Sequence, residues 1–394
     1  MARYGLDLED NLKDLHARVH RGSYRAKPSR RVYIPRPDGR QRPLGVAALE
    51  DKVLQRAMVE VLNAIYEADF VGFSYGFRPG RSPHHALDAL ATAIRRQRVS
   101  WVLDLDFQDY FSRLDHQWLE RFLEHRIADK RVLRLIGKWL AAGVIEDGSW
   151  TAFDEGVPHG ASISPLLANV YAHYVFDLWV HQWRQRHARG EVVIVRFADD
   201  AVVGFEHRDD AQRFWADLRD RLAKFGLALN DEKTRLIEFG RFAAERRAAR
   251  GLGKPETFQF LGFTHICAKT KTGRFELKRI TDSKRLAAKL RSVKAELMRR
   301  RHQPIPEQGR WLASVLRGHT NYYGVPGNRK ALLAFRFFAT EHWYRALRRR
   351  SQHDRLTWER MQRLRDRWLP WPQIAHPWPE GRFDARTQGR SPVS

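Results

Sequence analysis

The sequence predicts an α+β fold, because short β-rich runs alternate with helical stretches in its central third and a basic, helix-patterned region fills its last third. A hydrophobic content of 43%, with 12% aromatic residues, supplies cores for two or three domains in 394 residues.

The first informative run is WVLDLDFQDYF. Strand alternation sets Leu103, Leu105 and Phe107 on one face and Asp104 and Asp106 on the other, so two acids point the same way. The segment SPLLANVYAHYVFDLW reads as a helix, with Ser164 as N-cap and Pro165 at the first helical position. In EVVIVRFADDAVVGF, the apolar runs from Val192 to Phe197 and from Ala201 to Phe205 flank Ala198, Asp199 and Asp200. That pattern is a hairpin with adjacent carboxylates at its tip, although Asp-Asp is also ordinary turn chemistry. An amphipathic helix then runs to Phe225, and the turn LNDEKT after it carries Lys233.

The C-terminal third is the basic one. Between Lys284 and Arg350, 17 Lys and Arg face 3 Glu, so 17 − 3 = +14 of the chain's +25 lies there. The run KRLAAKLRSVKAELMRRRHQ places Leu286, Leu290, Val293 and Leu297 on one helical stripe, ended by Pro304 and Pro306. A second helix is expected near Trp311 to Leu316. A third, from Ala331 to Arg350, mixes Phe335, Phe338, Trp343 and Tyr344 with arginines. From Trp368 the Pro-, Arg- and Gly-rich tail reads as an irregular arm.

A net charge of +25 points to a polyanionic partner, nucleic acid first among them. No run approaches the ~20 apolar residues of a membrane span, and MARYGLDLED is not a signal peptide. With Cys267 as the only cysteine, an intramolecular disulfide and paired-cysteine zinc ligation are excluded, and a reducing compartment such as the bacterial cytoplasm is expected. Crowded carboxylates need a cation, and hard oxygen ligands suit magnesium. Two such ions ~3.5–4 Å apart serve phosphoryl or nucleotidyl transfer.

The order of the motifs narrows this further. Asp106 on its strand, GVPHGASISPLLANVYAHYVFD, RFADD and LAKFGLALNDEKTRLIEFG follow one another as do the palm motifs of reverse transcriptases. Together with RRVYIPRPDGRQRPLG, YEADFVGFSYGFRPGRSPHHAL, FQFLGFTHIC, LRGHTNYYGVPGN and LRRRSQ, they make the chain resemble the group II intron reverse transcriptase/maturase family over nearly its whole length.

The resemblance implies a right-hand polymerase. Its parts would be fingers over 1–98, a palm with an antiparallel sheet over 99–266, an α-helical thumb or maturase X domain over 267–375, and an irregular tail over 376–394. It implies RNA-directed DNA synthesis with two Mg2+ ions, replaceable by Mn2+, on an RNA template such as a structured intron, from a DNA or RNA primer and dNTPs. Two alternatives stay open: a catalytically impaired RNA-binding splicing cofactor, and a domesticated enzyme of repair or defence.

Residue by residue, the family's pattern puts the metal ligands at Asp106, Asp199 and Asp200, with Phe107 beside both metal and nucleotide. It makes Lys233 the candidate proton donor to pyrophosphate. Arg36 and Arg42 would grip the triphosphate, Phe111 would close against a 2′-hydroxyl, and His159 stands where the family reads glutamine. Phe197 and Ala201 depart from the family's tyrosine and bulkier residue, and Asp109 adds a carboxylate nearby. Nucleic-acid contacts are expected from Arg78, Arg81, Arg348, Arg349 and Arg350. The PGVDG-like segment that precedes LDLEDNL in the family and the HNH endonuclease of many relatives are expected to be lacking, and no zinc is assigned.

Overall fold

The computed structural model describes residues 2–35, 41–152, 155–158, 160–351 and 356–387. The chain divides into two compact units, Met1–Ala86 with Trp101–Leu236, and Leu87–Ser100 with Ile237–Ser391. In the second unit Asp88 is buried and ion-paired to Arg279 at 3.0 Å, which ties the segment after Ala86 to the C-terminal residues.

In the first unit, α1 (Ala2–Leu6) and α2 (Leu8–His20) precede the antiparallel strands β1 (Ser29–Pro35) and β2 (Gln41–Val46), in which Ile34 pairs with Arg42. Next come α3 (Leu49–Tyr66) and the start of α4 (Pro83–Arg96). Ser82 begins α4 by reciprocal capping: the His85 N–H donates to its hydroxyl at 3.4 Å and its own N–H donates to His85 Nδ1 at 3.0 Å. His85 is thus a helix-start residue.

The chain continues through β3 (Trp101–Asp106), α5 (His116–Glu124), α6 (Lys130–Leu140), β4 (Val144–Glu146) and β5 (Ser149–Thr151). Then α7 (Ser164–Ala172), a π-type turn over His173–Asp177 and α8 (Leu178–Arg186) form one helical run. Ser164 is its first helical residue and not its cap, because its hydroxyl donates to the Pro158 carbonyl at 2.8 Å instead of accepting from the helix. The strands β6 (Val192–Phe197) and β7 (Asp200–Phe205) follow, then α9 (Arg208–Ala223) and β8 (Arg235–Glu238).

These strands build a sheet of order β6-β7-β3-β8, antiparallel where β6 meets β7 and where β7 meets β3. Residues Val192 to Val195 and Ala201 to Phe205 are all buried, as continuous Val-rich runs covered on both faces should be. Phe214 of α9 and Trp183 of α8 pack on Phe205 and on each other, fixing those helices to the sheet.

The second unit holds α10 (Ala243–Ala249) and the antiparallel sheet of β9 (Phe258–Phe260), β10 (Phe263–Lys269) and β11 (Phe275–Thr281), ordered β11-β10-β9. Helices α11 (Ser283–Arg299), α12 (Ile305–Tyr323), α13 (Arg329–Arg348) and α14 (Trp358–Trp368) close round a core of Leu297, Leu312, Phe335, Trp343 and Met361. The expected stripe holds, with Val293 and Leu297 buried and Leu286 and Leu290 packed against the same core.

Two expectations need correction. Pro304 and Pro306 open α12 and do not end α11, because a first helical turn tolerates a fixed φ and a missing N–H. The tail is not wholly irregular either, since Pro379–Thr387 is a helix, α15. It is held by Arg96–Asp384 (2.7 Å), Arg95–Glu380 (3.4 Å) and Arg382–Asp88.

Candidate active site

Asp106 ends β3 directly opposite Asp200, the first residue of β7. Phe197 pairs with Asp200 across the hairpin, which leaves Ala198 and Asp199 as a two-residue turn. Like charges placed across a strand pair destabilise it, so an Asp106–Asp200 pairing calls for a cation. Ala198 adopts φ 58°, a left-handed value that this turn position normally gives to glycine, so the tip of the hairpin is held under strain. Asp199 and Asp200 are exposed.

The backbone beyond Asp106 adds an oxygen. Asp106 accepts from the Asn230 N–H at 2.8 Å, and its own N–H donates to Thr234 Oγ1 at 3.3 Å. Both groups therefore point to the β8 side, and strand alternation turns the Phe107 carbonyl the other way, toward β7 and its hairpin. The Phe107 ring is buried against Tyr110 and Phe176.

Lys233 stands with Nζ 2.9 Å from Asp106 Oδ2, an ammonium in the place where a metal cation would neutralise the carboxylate. Asp104 lies on the same strand face, 3.6 Å from Arg235, and burial raises its pKa to about 6. Among the described residues, no group of three or more His, Cys, Asp or Glu side chains is gathered into a preformed metal cage. The donor set still fits a hard divalent ion, for it comprises carboxylates and a strand carbonyl, with a lysine already acting as counter-cation.

What holds the hairpin is Arg196, which the sequence reading passed over. It is 1% exposed and pairs with the fully buried Asp177 at 2.6 Å. Its remaining donors reach Ser74 Oγ (2.7 Å), Asn169 Oδ1 (3.1 Å) and the Ala198 carbonyl at the hairpin tip (2.8 Å). Burial acts to lower its pKa, yet the charge and hydrogen bonds of Asp177 outweigh that and hold it charged above its ordinary value. Asn169 in turn donates to the Gly76 carbonyl at 2.6 Å. Gly76 lies so close to the hairpin that an added Cβ would overlap the Ala198 amide nitrogen. The signal was present in the sequence as one arginine inside the apolar run VVIVRF and one aspartate ending an apolar helix.

Phe111 sits half-buried in a short 3₁₀ turn after β3, edge-on to Tyr110, and its carbonyl accepts from the Val157 N–H at 2.8 Å. Gly156 permits that contact, because a Cβ there would stand 2.8 Å from the Ser112 backbone. Asp109, at φ 45°, is exposed beside the same turn. The first unit thus brings Asp106, Phe107, Phe111, Asp199, Asp200 and Lys233 to one end of its sheet. Arg36, His159 and the side chain of Arg42 lie outside the described residues.

The family model described as reverse transcriptase (RNA-dependent DNA polymerase) matches residues 34–265, more than half of the chain. This chain belongs to the reverse transcriptase family. It is 43% identical to Protein YkfC of Escherichia coli over 41% of this chain and 43% of that one. With the group II intron-encoded protein LtrA of Lactococcus lactis it shares 35% identity over 46% of this chain and 30% of LtrA. A putative COX1/OXI3 intron 1 protein of Saccharomyces cerevisiae is 25% identical over 82% of this chain and 46% of its own length. The match therefore spans under half of each of these relatives. The branch that the motifs resemble, group II intron proteins, is represented among them.

Not every arginine of this family member lies where the motifs led one to expect. Arg78 is 6% exposed, and its donors reach both Glu67 carboxylate oxygens and the carbonyls of Phe70, Val71 and Ser74. All five N–H groups are thereby used, so Arg78 braces this loop and is not placed to grip nucleic acid. Arg81 is half-buried, donating to the Gly72 carbonyl at 2.5 Å and lying over the Tyr75 ring. In the second unit Arg350 is half-buried and donates to the Gln303 carbonyl, whereas Arg348 and Arg349 are exposed. Among the described residues, no helix is long and apolar enough to cross a membrane.

Proposed function

We propose that this chain is an RNA-directed DNA polymerase whose metal ligands are Asp106, Asp199, Asp200 and the carbonyl of Phe107. The observation that carries the reading is the direct cross-strand pairing of Asp106 with Asp200, with Asp199 in the turn between β6 and β7. Two magnesium ions held there would activate a primer 3′-hydroxyl and stabilise the departing pyrophosphate. The protein's part is placement. Arg196 fixes the hairpin, and Lys233, exposed and in contact with Asp106, would donate a proton to pyrophosphate. Arg36 and Arg42 offer forked, permanent cations to the triphosphate.

Phe111, the half-buried ring beside this turn, is proposed to exclude a 2′-hydroxyl. Phe111→Ala should then lower discrimination between dNTPs and rNTPs by about tenfold to a hundredfold. Incorporation of matched dNTP and rNTP pairs measures this, and an unchanged ratio would leave Phe111 as packing only.

The template proposed is RNA, with intron RNA favoured because relatives are named as intron-encoded proteins. The basic C-terminal unit supports RNA binding separable from synthesis, as a splicing role would need. The full chain should extend a DNA primer on an RNA template with dNTPs and magnesium, following the template sequence. No extension with any divalent ion, despite RNA binding, would favour the splicing-cofactor reading.

A further inference from the structure

Helix α13 carries two stripes. Phe335, Ala339, Trp343, Ala346 and Leu347 turn into the core of the second unit. Phe337, Glu341, Tyr344, Arg345 and Arg348 recur at the spacing of a second helical face. That face, with Arg349 and with Trp358 from α14, lines an open hollow of about 600 Å³, a size in the ordinary range of ligand clefts, roughly 300–1,000 Å³.

The rings wall this hollow and do not fill it. Phe337 meets Trp358 edge to face at 6.2 Å, and Tyr344 meets Trp358 the same way at 5.3 Å. An edge-to-face contact covers a face of one ring, whereas stacking would cover a face of both. Phe337 is 51% exposed, a large apolar surface left in water. Arg348 lies 5.6 Å from the Tyr344 ring centre. Among the described residues of the lining the single acid, Glu341, accepts from Arg345 at 2.6 Å, so the surplus charge of these residues is positive.

We propose that this hollow stacks an unpaired base of single-stranded RNA on Phe337, with Arg348 and Arg349 against the flanking phosphates. The inference rests on the reading of this chain as an RNA-copying enzyme and gives that RNA a second point of attachment. Rings interleaved with arginines are the surface that unpaired bases and their backbone recognise together. A duplex keeps its internal bases stacked inside and offers Phe337 only the faces of its end pairs. A second copy of this chain would bring another +25 to a positive hollow, which charge complementarity disfavours.

The test uses the full chain, a short oligoadenylate RNA and a blunt RNA duplex of matched length, with affinity measured by anisotropy across a salt series. Phe337→Ala should weaken oligoadenylate binding between about fivefold and about a hundredfold, leaving duplex binding and the salt slope unchanged. Phe337→Trp should retain the affinity. Arg348→Gln combined with Arg349→Gln should flatten the slope by about 0.7 for each lost contact.

No loss in Phe337→Ala, or an equal loss on both RNAs, would overturn the stacking site while leaving RNA copying intact. A fall in self-association on sedimentation, with RNA affinity preserved, would make the hollow a protein interface instead. Failure of the wild-type chain to bind either RNA would overturn this proposal together with the reading beneath it.

Discussion

Asp199→Asn is expected to slow RNA-templated DNA synthesis by about a thousandfold or more, because a metal's charge stabilisation is worth several kcal/mol and each 1.36 kcal/mol is tenfold in rate. The substitution keeps shape and removes one negative charge from the exposed turn between β6 and β7. Folding should be untouched, since Asp199 is not part of the core. RNA affinity should also survive, because the basic stretch Lys284 to Arg350 lies in the other compact unit. Single-turnover primer extension and RNA anisotropy on the same preparation read the two quantities. Extension at the wild-type rate would remove Asp199 from the site, and a parallel loss of RNA binding would deny that synthesis and binding are separable.

Arg196→Met should destabilise the fold by about 3–5 kcal/mol, since it strands the buried Asp177 without its partner. Arg196→Met combined with Asp177→Leu should recover most of that stability, because a well-packed apolar pair often replaces a buried ion pair without loss. Activity should not return with it. The Ala198 carbonyl, bonded by Arg196 at 2.8 Å, loses its anchor, and the strained turn carrying Asp199 is free to relax. A displacement near 1 Å at a reacting group costs on the order of 100-fold. Chemical denaturation paired with kcat and apparent KM for dNTP separates the effects: the double variant should show near-normal stability, nearly unchanged KM and a depressed kcat. Restored kcat in the double variant would reduce Arg196 to a core brace.

Local pattern carried the sequence reading of the palm. The alternation in WVLDLD and the paired apolar runs round Ala198 to Asp200 need only neighbours in the chain, and β3, β6 and β7 lie where that pattern put them. Long-range partners were not legible. Arg78 reads as a surface cation until Glu67 and three carbonyls are folded round it, and Arg196 has no visible function until Asp177 arrives from the preceding helical run. The same holds for the tail, where Pro, Arg and Gly suggested an arm but Asp384 and Arg382 find Arg96 and Asp88 nearly three hundred residues earlier. Ser164 failed as a cap for a related reason, its hydroxyl being claimed by the Pro158 carbonyl of the preceding loop.

The most direct measurement of the central claim is single-nucleotide addition to a DNA primer on an RNA template, titrated with magnesium, for the wild-type chain and Asp106→Asn. Addition should need magnesium, follow the template base and all but vanish in Asp106→Asn, because that carboxylate stands opposite Asp200 at the end of β3. Addition that ignores the template base, or that proceeds undiminished in Asp106→Asn, would contradict that claim.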